Sequence, residues 1–247
     1  MFRKIYFLLP VYNESKSIHD LLLNIDAFSQ TISPSVESIV IDDCSKDDSK
    51  KWIQKAKNNL KNITLTEIFH TENQGLRGAL NSGFAHLSNQ VSHDTAVITM
   101  DGDNTHNPYL VREMIERLEQ GADMAIASRY CPQSRISGLP KHRIFLSQGA
   151  RLLYKIFWRI PGVKDYTCLF RAHSGELLKK FYKCTPAPYL EEKSFACTTE
   201  LLAKLNKAAP TIVEVPMILK YGNKFSASNV QLGRTILSSL QILTRKA

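Results

Sequence analysis

The chain has 247 residues, 43% of them hydrophobic, and a formal net charge of +9. That length and apolar content suffice for one large domain core and give no sign of disorder, while no apolar run approaches the ~20 residues that span a bilayer. The five cysteines form no CxxC pair and share no ligand spacing with the seven histidines, so a zinc site is not expected and reduced thiols in a cytosolic setting are.

In chain order, MFRKIYFLLPVYNES opens with a short apolar stretch after two basic residues. An acid follows and no small-residue cleavage site does, so it reads as a first strand and not as a signal peptide. Further β-branched, apolar runs stand at 37–43, 62–69, 95–101 and 122–128, and segments with helical spacing fall at 16–29, 46–59, 76–89 and 108–120. The alternation predicts an α/β protein with a mostly parallel, doubly wound sheet over roughly the first 130 residues.

In such sheets ligands sit at the carboxyl ends of the strands. Polar clusters fall at four of those ends: residues 10–14, Asp42 with Asp43, Asp101 with Asp103, and residues 128–130. VYNES follows the first strand where a glycine-rich phosphate loop would stand, which disfavours a dinucleotide or P-loop enzyme. NQGLRGALNSG, 73–83, starts a helix whose N–H groups at Gly75 either meet a ligand anion or simply cap the helix. Ser45 or Asp47 suits a helix cap.

VITMDGDNTHNP, 97–108, is a buried-strand sequence that stops at Asp101 and Asp103, two charges a core cannot hold unpaired. A metal ion, a basic side chain or water could answer them. Two carboxylates one residue apart suit Mg²⁺ or Mn²⁺ when diphosphate oxygens and water complete the shell. Asp42 and Glu14 on the same rim suit hydrogen bonds to a base and ribose.

The cations are unevenly placed. Residues 131–164 carry seven Lys or Arg and no acid, and the chain after Glu214 carries five more and no acid. Two basic segments on an otherwise acidic body suit phosphate groups, an anionic membrane surface or nucleic acid, with a solvated basic face as the plain alternative. Within 143–162, Arg151, Lys155 and Arg159 recur every four residues beside an aromatic and aliphatic face. That pattern fits either a helix lying on an anionic bilayer or a core helix with its cations in solvent.

Taken in order, PVYNE at 10–14, IDDCSKDDS at 41–49, NQGLRGALNSG at 73–83, MDGDNTHNP at 100–108, ASRY at 127–130 and DYTCLFRA at 165–172 resemble the family 2 glycosyltransferases. Within them the likeness is to the polyprenol-phosphate (dolichol-phosphate) mannosyltransferases and their glucosyl relatives. The resemblance implies a GT-A fold over residues 1–220, followed by a basic C-terminal extension, 221–247, suited to a membrane interface. It implies transfer of a hexose, mannose first, from a nucleotide diphosphate-sugar to a polyprenyl phosphate with inversion. GDP-mannose is the expected donor and a UDP-sugar the alternative.

Carried over by position, Pro10, Tyr12, Glu14 and Asp42 would hold the nucleoside, with Gly75 and Asp101 completing the nucleotide site. Asp101 and Asp103 would hold Mg²⁺ or Mn²⁺, and Arg129, Arg143 and Ser147 the acceptor phosphate; Asp101, Asp103, Arg129, Arg143 and Ser147 form the implied catalytic set. The chain departs from the family pattern at Thr105, where a metal-ligating Gln is usual and the shorter side chain reaches a metal only through water. It departs again at LKYGNKFS, 219–226, where Lys220 and Lys224 stand for an arginine-bearing pattern. The absence of a spanning tail points away from the anchored members and towards a cytoplasmic enzyme peripheral on a membrane. A hydroxyl acceptor would instead require a carboxylate base, and Glu191 or Glu192 in YLEEKSF is the candidate. A nucleic-acid module would explain the basic segments but not the acidic rim.

Overall fold

The computed structural model describes residues 1–137, 154, 156 and 158–220. Five strands and four helices alternate through the first half: β1 (Lys4–Val11), α1 (Ser15–Ser29), β2 (Ser35–Asp42), α2 (Ser49–Lys57), β3 (Ile63–Phe69), α3 (Gly75–Leu87), β4 (Thr95–Thr99), a 3₁₀ turn (Pro108–Leu110) leading into α4 (Val111–Glu119), and β5 (Met124–Ser128). The second half adds β6 (Arg135–Ser137), β7 (Arg171–Ser174), α5 (Gly175–Cys184), α6 (Cys197–Asn206), β8 (Ile212–Pro216) and β9 (Ile218–Lys220).

Seven strands form the main sheet in the order β3-β2-β1-β4-β7-β5-β8, and β6 pairs with β9 apart from it. All main-sheet pairings are parallel except those of β7, which runs antiparallel to both β4 and β5. Helices cover the sheet, so the central strands are apolar along their length and do not alternate. Ile5 to Leu9 of β1 and Ala96 to Ile98 of β4 are at most 3% exposed, whereas edge strand β3 is only half-buried. The helices show the complementary 3.6-residue period. Ile18, Leu21, Leu22, Ile25 and Phe28 form the inner stripe of α1, and Val111, Met114, Ile115 and Leu118 that of α4. Each such side chain contributes about 1.5–3 kcal/mol on burial.

Pro10 decides where the sheet opens. Successive residues of a parallel strand address opposite neighbours; Val11 O accepts from Asp43 N on the β2 side, and Leu8 O accepts from Met100 N on the β4 side. Pro10 therefore faces β4, and its missing N–H falls just beyond Leu8↔Thr99, the last β1–β4 register pair. The two strands part there, and the parting lies where the strand order turns, the usual place for a ligand crevice.

The expected basic helix across 143–162 lies largely outside the described residues. Where it is described, the helix ends by Trp158: Arg159 has φ +38° and Gly162 φ +78°. Arg159 is thus not part of a continuing helical stripe, because a left-handed residue breaks the 3.6-residue repeat. Tyr154 stacks on Tyr166 with ring centroids 5.5 Å apart and joins the core.

Candidate functional site

The rim is assembled from the ends of β1, β2 and β4. The loops after β1 and β2 are clipped together: Asn13 N donates to Ser45 Oγ (2.9 Å), Lys46 N to Asn13 Oδ1 (2.8 Å) and Glu14 N to Ser49 Oγ (2.8 Å). Asn13 holds φ +57°, a conformation asparagine tolerates better than most residues. Asp47 binds Ser15 Oγ and Ser49 Oγ, both at 2.5 Å. Those bonds hold its carboxyl below the ordinary range although burial opposes this. Ser45, Asp47 and Ser49 therefore staple two loops and do not serve only as helix caps.

Asp42 is 4% exposed; its Oδ1 accepts from Ser45 N (2.9 Å), while Oδ2 is buried with no hydrogen-bond partner. A buried carboxylate oxygen left unmatched is costly, and a donor from a bound nucleoside would satisfy it. Val11 is opposite Asp42 in the β1–β2 register, with Pro10 opposite Ile41, and Tyr12 and Glu14 follow directly after the end of β1.

Asp43, one residue on, does different work. Its Oδ1 accepts from His70 Nδ1 (2.7 Å) and Gln74 N (2.8 Å), and its Oδ2 from Gly75 N (2.7 Å). The Gly75 N–H proposed for the nucleotide is thus already donated, and of the two readings of this helix start the structure gives the cap. His70 Nε2 meets Ser82 Oγ at 2.9 Å, so Asp43, His70 and Ser82 share the hydrogen-bond order of a hydrolytic triad. Ser82 sits in the body of α3, where nearby N–H groups are spent in the helix ladder and none remains for an oxyanion. The relay fastens β2, β3 and α3.

Asp101 and Asp103 follow β4. Gly102 between them is obligatory in size: a Cβ there would stand 2.8 Å from both Pro10 O and Val11 Cγ2. The Asp101 side chain is 39% exposed and its Oδ2 lies 3.3 Å from His106 Nε2; Asp103 Oδ1 accepts from Thr105 N (3.1 Å) and Thr105 Oγ1 (2.7 Å). Among the described residues no group of three or more His, Cys, Asp or Glu could enclose a metal ion. Two accessible carboxylates of hard oxygen donors fit Mg²⁺ or Mn²⁺ shared with a diphosphate, not a protein-enclosed ion.

Arg129 follows β5, two strand spacings from β4 across β7, roughly 10 Å at ~4.8 Å per strand. Its Nε and Nη2 grip Asp165 Oδ2 (2.7 Å) and Oδ1 (2.6 Å), and Nη2 also meets Thr167 Oγ1 (2.6 Å). Burial alone would lower the guanidinium pKa, but the Asp165 charge outweighs it and raises it further. This arginine is therefore committed on two donors, and what it offers an acceptor is its remaining edge. Arg143 and Ser147 lie outside the described residues, so Arg129 stands alone of the three expected acceptor residues.

Deeper in, Arg171 is fully buried and donates to Thr198 O (2.8 Å) and Tyr166 O (2.9 Å), tying β7 to α6. Burial lowers its pKa to about 10, and burial with this neighbouring cation lowers His173 to about 3. Glu191 and Glu192 stand on a loop held from behind: both N–H groups donate to Glu200, at 3.1 and 2.9 Å, and Lys204 Nζ lies 2.9 Å from Glu200 and 3.7 Å from Glu191. The same loop reaches the rim, with Lys193 O 3.8 Å from where a Gly75 Cβ would be.

The strand order, with its one antiparallel strand and with carboxylates at the strand ends beside Pro10, is that of the GT-A fold. The sequence model of glycosyl transferase family 2 matches residues 6–181, and the chain belongs to that family. A dolichol-phosphate mannosyltransferase of Pyrococcus furiosus is 28% identical over 243 residues, covering 98% of this chain and 63% of its own length. An undecaprenyl-phosphate 4-deoxy-4-formamido-L-arabinose transferase of Klebsiella pneumoniae is 26% identical over 184 residues, 74% of this chain and 52% of its own. The chain thus spans between half and two thirds of the curated relatives it matches. Among solved structures, glucosyl-3-phosphoglycerate synthase from Mycobacterium tuberculosis in complex with Mn²⁺, uridine diphosphate and glucosyl-3-phosphoglycerate superposes with a TM-score of 0.68. It is 18% identical and covers 98% of this chain and 80% of that one, a likeness of fold.

Proposed function

We propose that this chain moves a hexose, mannose in the first instance, from a nucleotide diphosphate-sugar to a polyprenyl phosphate with inversion at the anomeric carbon. The observation that carries the reading is the convergence of Asp42, Asp101 and Asp103 at one crevice in a chain matched over 98% of its length by a relative named for dolichol-phosphate mannosyl transfer.

Pro10, Tyr12, Glu14 and the unmatched oxygen of Asp42 bind the nucleoside. Asp101 and Asp103 hold Mg²⁺ or Mn²⁺, which when bound supplies positive charge to neutralise the departing nucleoside diphosphate. A phosphate monoester acceptor has its second pKa near ~6 and already carries its nucleophilic charge at neutral pH. It needs positioning and no general base, and the edge of Arg129 not spent on Asp165, with Arg143 and Ser147, supplies that. GDP-mannose is the first donor to test, and a UDP-sugar the second, since structural neighbours hold uridine diphosphate. No helix among the described residues is long and apolar enough to cross a membrane; we place the enzyme at the cytoplasmic face, with residues 221–247 and the basic segment before Lys164 as its contacts.

A hydroxyl acceptor is the second reading, because the loop of Glu191 and Glu192 reaches the rim beside Gly75. One experiment separates them: a panel of nucleotide-sugars incubated with short polyprenyl phosphates and with hydroxyl acceptors, read by mass spectrometry. Glycosylated lipid phosphate is expected. Product on hydroxyl acceptors alone would replace the first reading with the second.

A further inference from the structure

The metal-site carboxylates are gripped from within their own loop. Asn104 takes φ +57° and is tied to α1 through Asn24 Nδ2 (3.3 Å), and beyond this turn Thr105 meets Asp103 and His106 meets Asp101. Thr105 directs both its N–H and its hydroxyl hydrogen at Asp103 Oδ1. His106 follows, 8% exposed, with its ring against the fully buried Phe170 at 5.2 Å between centroids.

The surroundings of His106 select its tautomer. Nδ1 is buried with no hydrogen-bond partner, and Nε2 lies 3.3 Å from Asp101 Oδ2. A neutral imidazole carries one N–H. On Nδ1 that proton would be buried and unmatched, with the Nε2 lone pair set against a carboxylate; on Nε2 it is donated to Asp101. The second arrangement is favoured on both counts.

We propose that His106 is a positioning residue for the diphosphate's cation: its Nε2–H fixes the rotamer of Asp101 and leaves Asp101 Oδ1 for the ion. Where a longer residue at 105 could ligate directly, this chain orients its two carboxylates from behind. The inference rests on Asp101 and Asp103 being the cation's ligands. Partners of this kind hold a ligand in its binding orientation, and their loss typically weakens metal affinity by about 10–100-fold.

The test is Mn²⁺ binding to the full chain in the presence of GDP and, separately, UDP, followed by electron paramagnetic resonance, with thermal unfolding as the check on folding. His106→Phe keeps the ring against Phe170 and removes the donor; it should weaken Mn²⁺ binding by about 10–100-fold and alter the bound-ion spectrum. His106→Gln, whose amide N–H can stand in for Nε2–H, should recover most of the affinity, and the shorter His106→Asn should not. If the Phe variant does not fold, the Gln and Asn pair decides. Parent-like Mn²⁺ binding in the Phe or Asn variant, or a folded Gln variant as weak as the others, overturns the proposal. A parent chain that binds no Mn²⁺ with either diphosphate would remove the metal assignment itself, an outcome distinct from a variant that binds normally.

Discussion

Arg129 and Asp165 meet in a two-point ion pair beyond the end of β5, with Nη2 2.6 Å from Oδ1 and Nε 2.7 Å from Oδ2. Asp165 is wholly buried, and its carboxylate also accepts from the N–H groups of Arg129, Thr167 and Cys168. Glu214 supports it in turn by accepting from Asp165 N (2.7 Å). The arginine that family likeness assigns to the acceptor is thus aimed by a residue more than thirty positions away.

Breaking that pair by Asp165→Asn should cost about 3–5 kcal/mol of stability, because the charge pair is closed at a wholly buried carboxylate and the largely covered guanidinium loses its counter-charge. Burial by itself would raise the Asp165 carboxyl, but the Arg129 charge and its hydrogen bonds outweigh it and hold it below the usual range. A depressed folded-state value contributes stability above the unfolded pKa of ~3.9 and loses it as pH falls through the folded one. The pair should therefore persist at neutral pH and fail only in strong acid. Urea titrations of parent and variant at pH 7 test this; a difference below about 1 kcal/mol would show that the pair behaves as a surface bridge.

Gly102→Ala should damage activity more than stability. Its Cβ would meet Pro10 O at 2.8 Å, a backbone atom that cannot rotate away, so the Asp101–Asp103 loop must shift. Overpacking of this kind costs about 1–3 kcal/mol. Loss of turnover with retained folding is the expected outcome, and a fully active variant would show that the crevice tolerates a wider loop.

Asp103→Ala should abolish chelator-sensitive transfer while leaving the fold close to intact, since the side chain lies on a partly exposed rim and the two bonds it accepts from Thr105 are made within the same loop. Turnover with and without EDTA measures it. Activity indifferent to both the substitution and the chelator would end the metal assignment.

The acceptor is decided by three substitutions measured against one donor. With a lipid phosphate, Glu191→Gln and Glu192→Gln should change turnover little, and the rate should rise to a plateau as the acceptor becomes a dianion around pH ~6. Arg143→Ala should lose a charge-assisted contact. With a hydroxyl acceptor the pattern inverts: one glutamate variant should fall by ~10²-fold or more, and Arg143→Ala should matter little.

What the sequence determined by itself is the alternation of five strands and four helices and the carboxylates at the ends of β1, β2 and β4. Strand and helix periods are local, and a charged residue that ends an apolar run is visible without knowing its neighbours. Asp42, Asp101 and Asp103 were legible for that reason, and the ordered motifs carried the family. The tertiary structure alone decided that β7 enters antiparallel between β4 and β5, that Asp43 and not a ligand takes the N–H of Gly75, and that Asp165 claims Arg129. It also decided that Glu200 holds the loop of Glu191 and Glu192. His106 has no visible role within MDGDNTHNP, because a histidine beside two aspartates has no evident direction until Asn104, at φ +57°, turns the chain. In each case the partner is chosen by how distant segments cross or by one left-handed residue, and neither composition nor period encodes which of several nearby donors a carboxylate will meet.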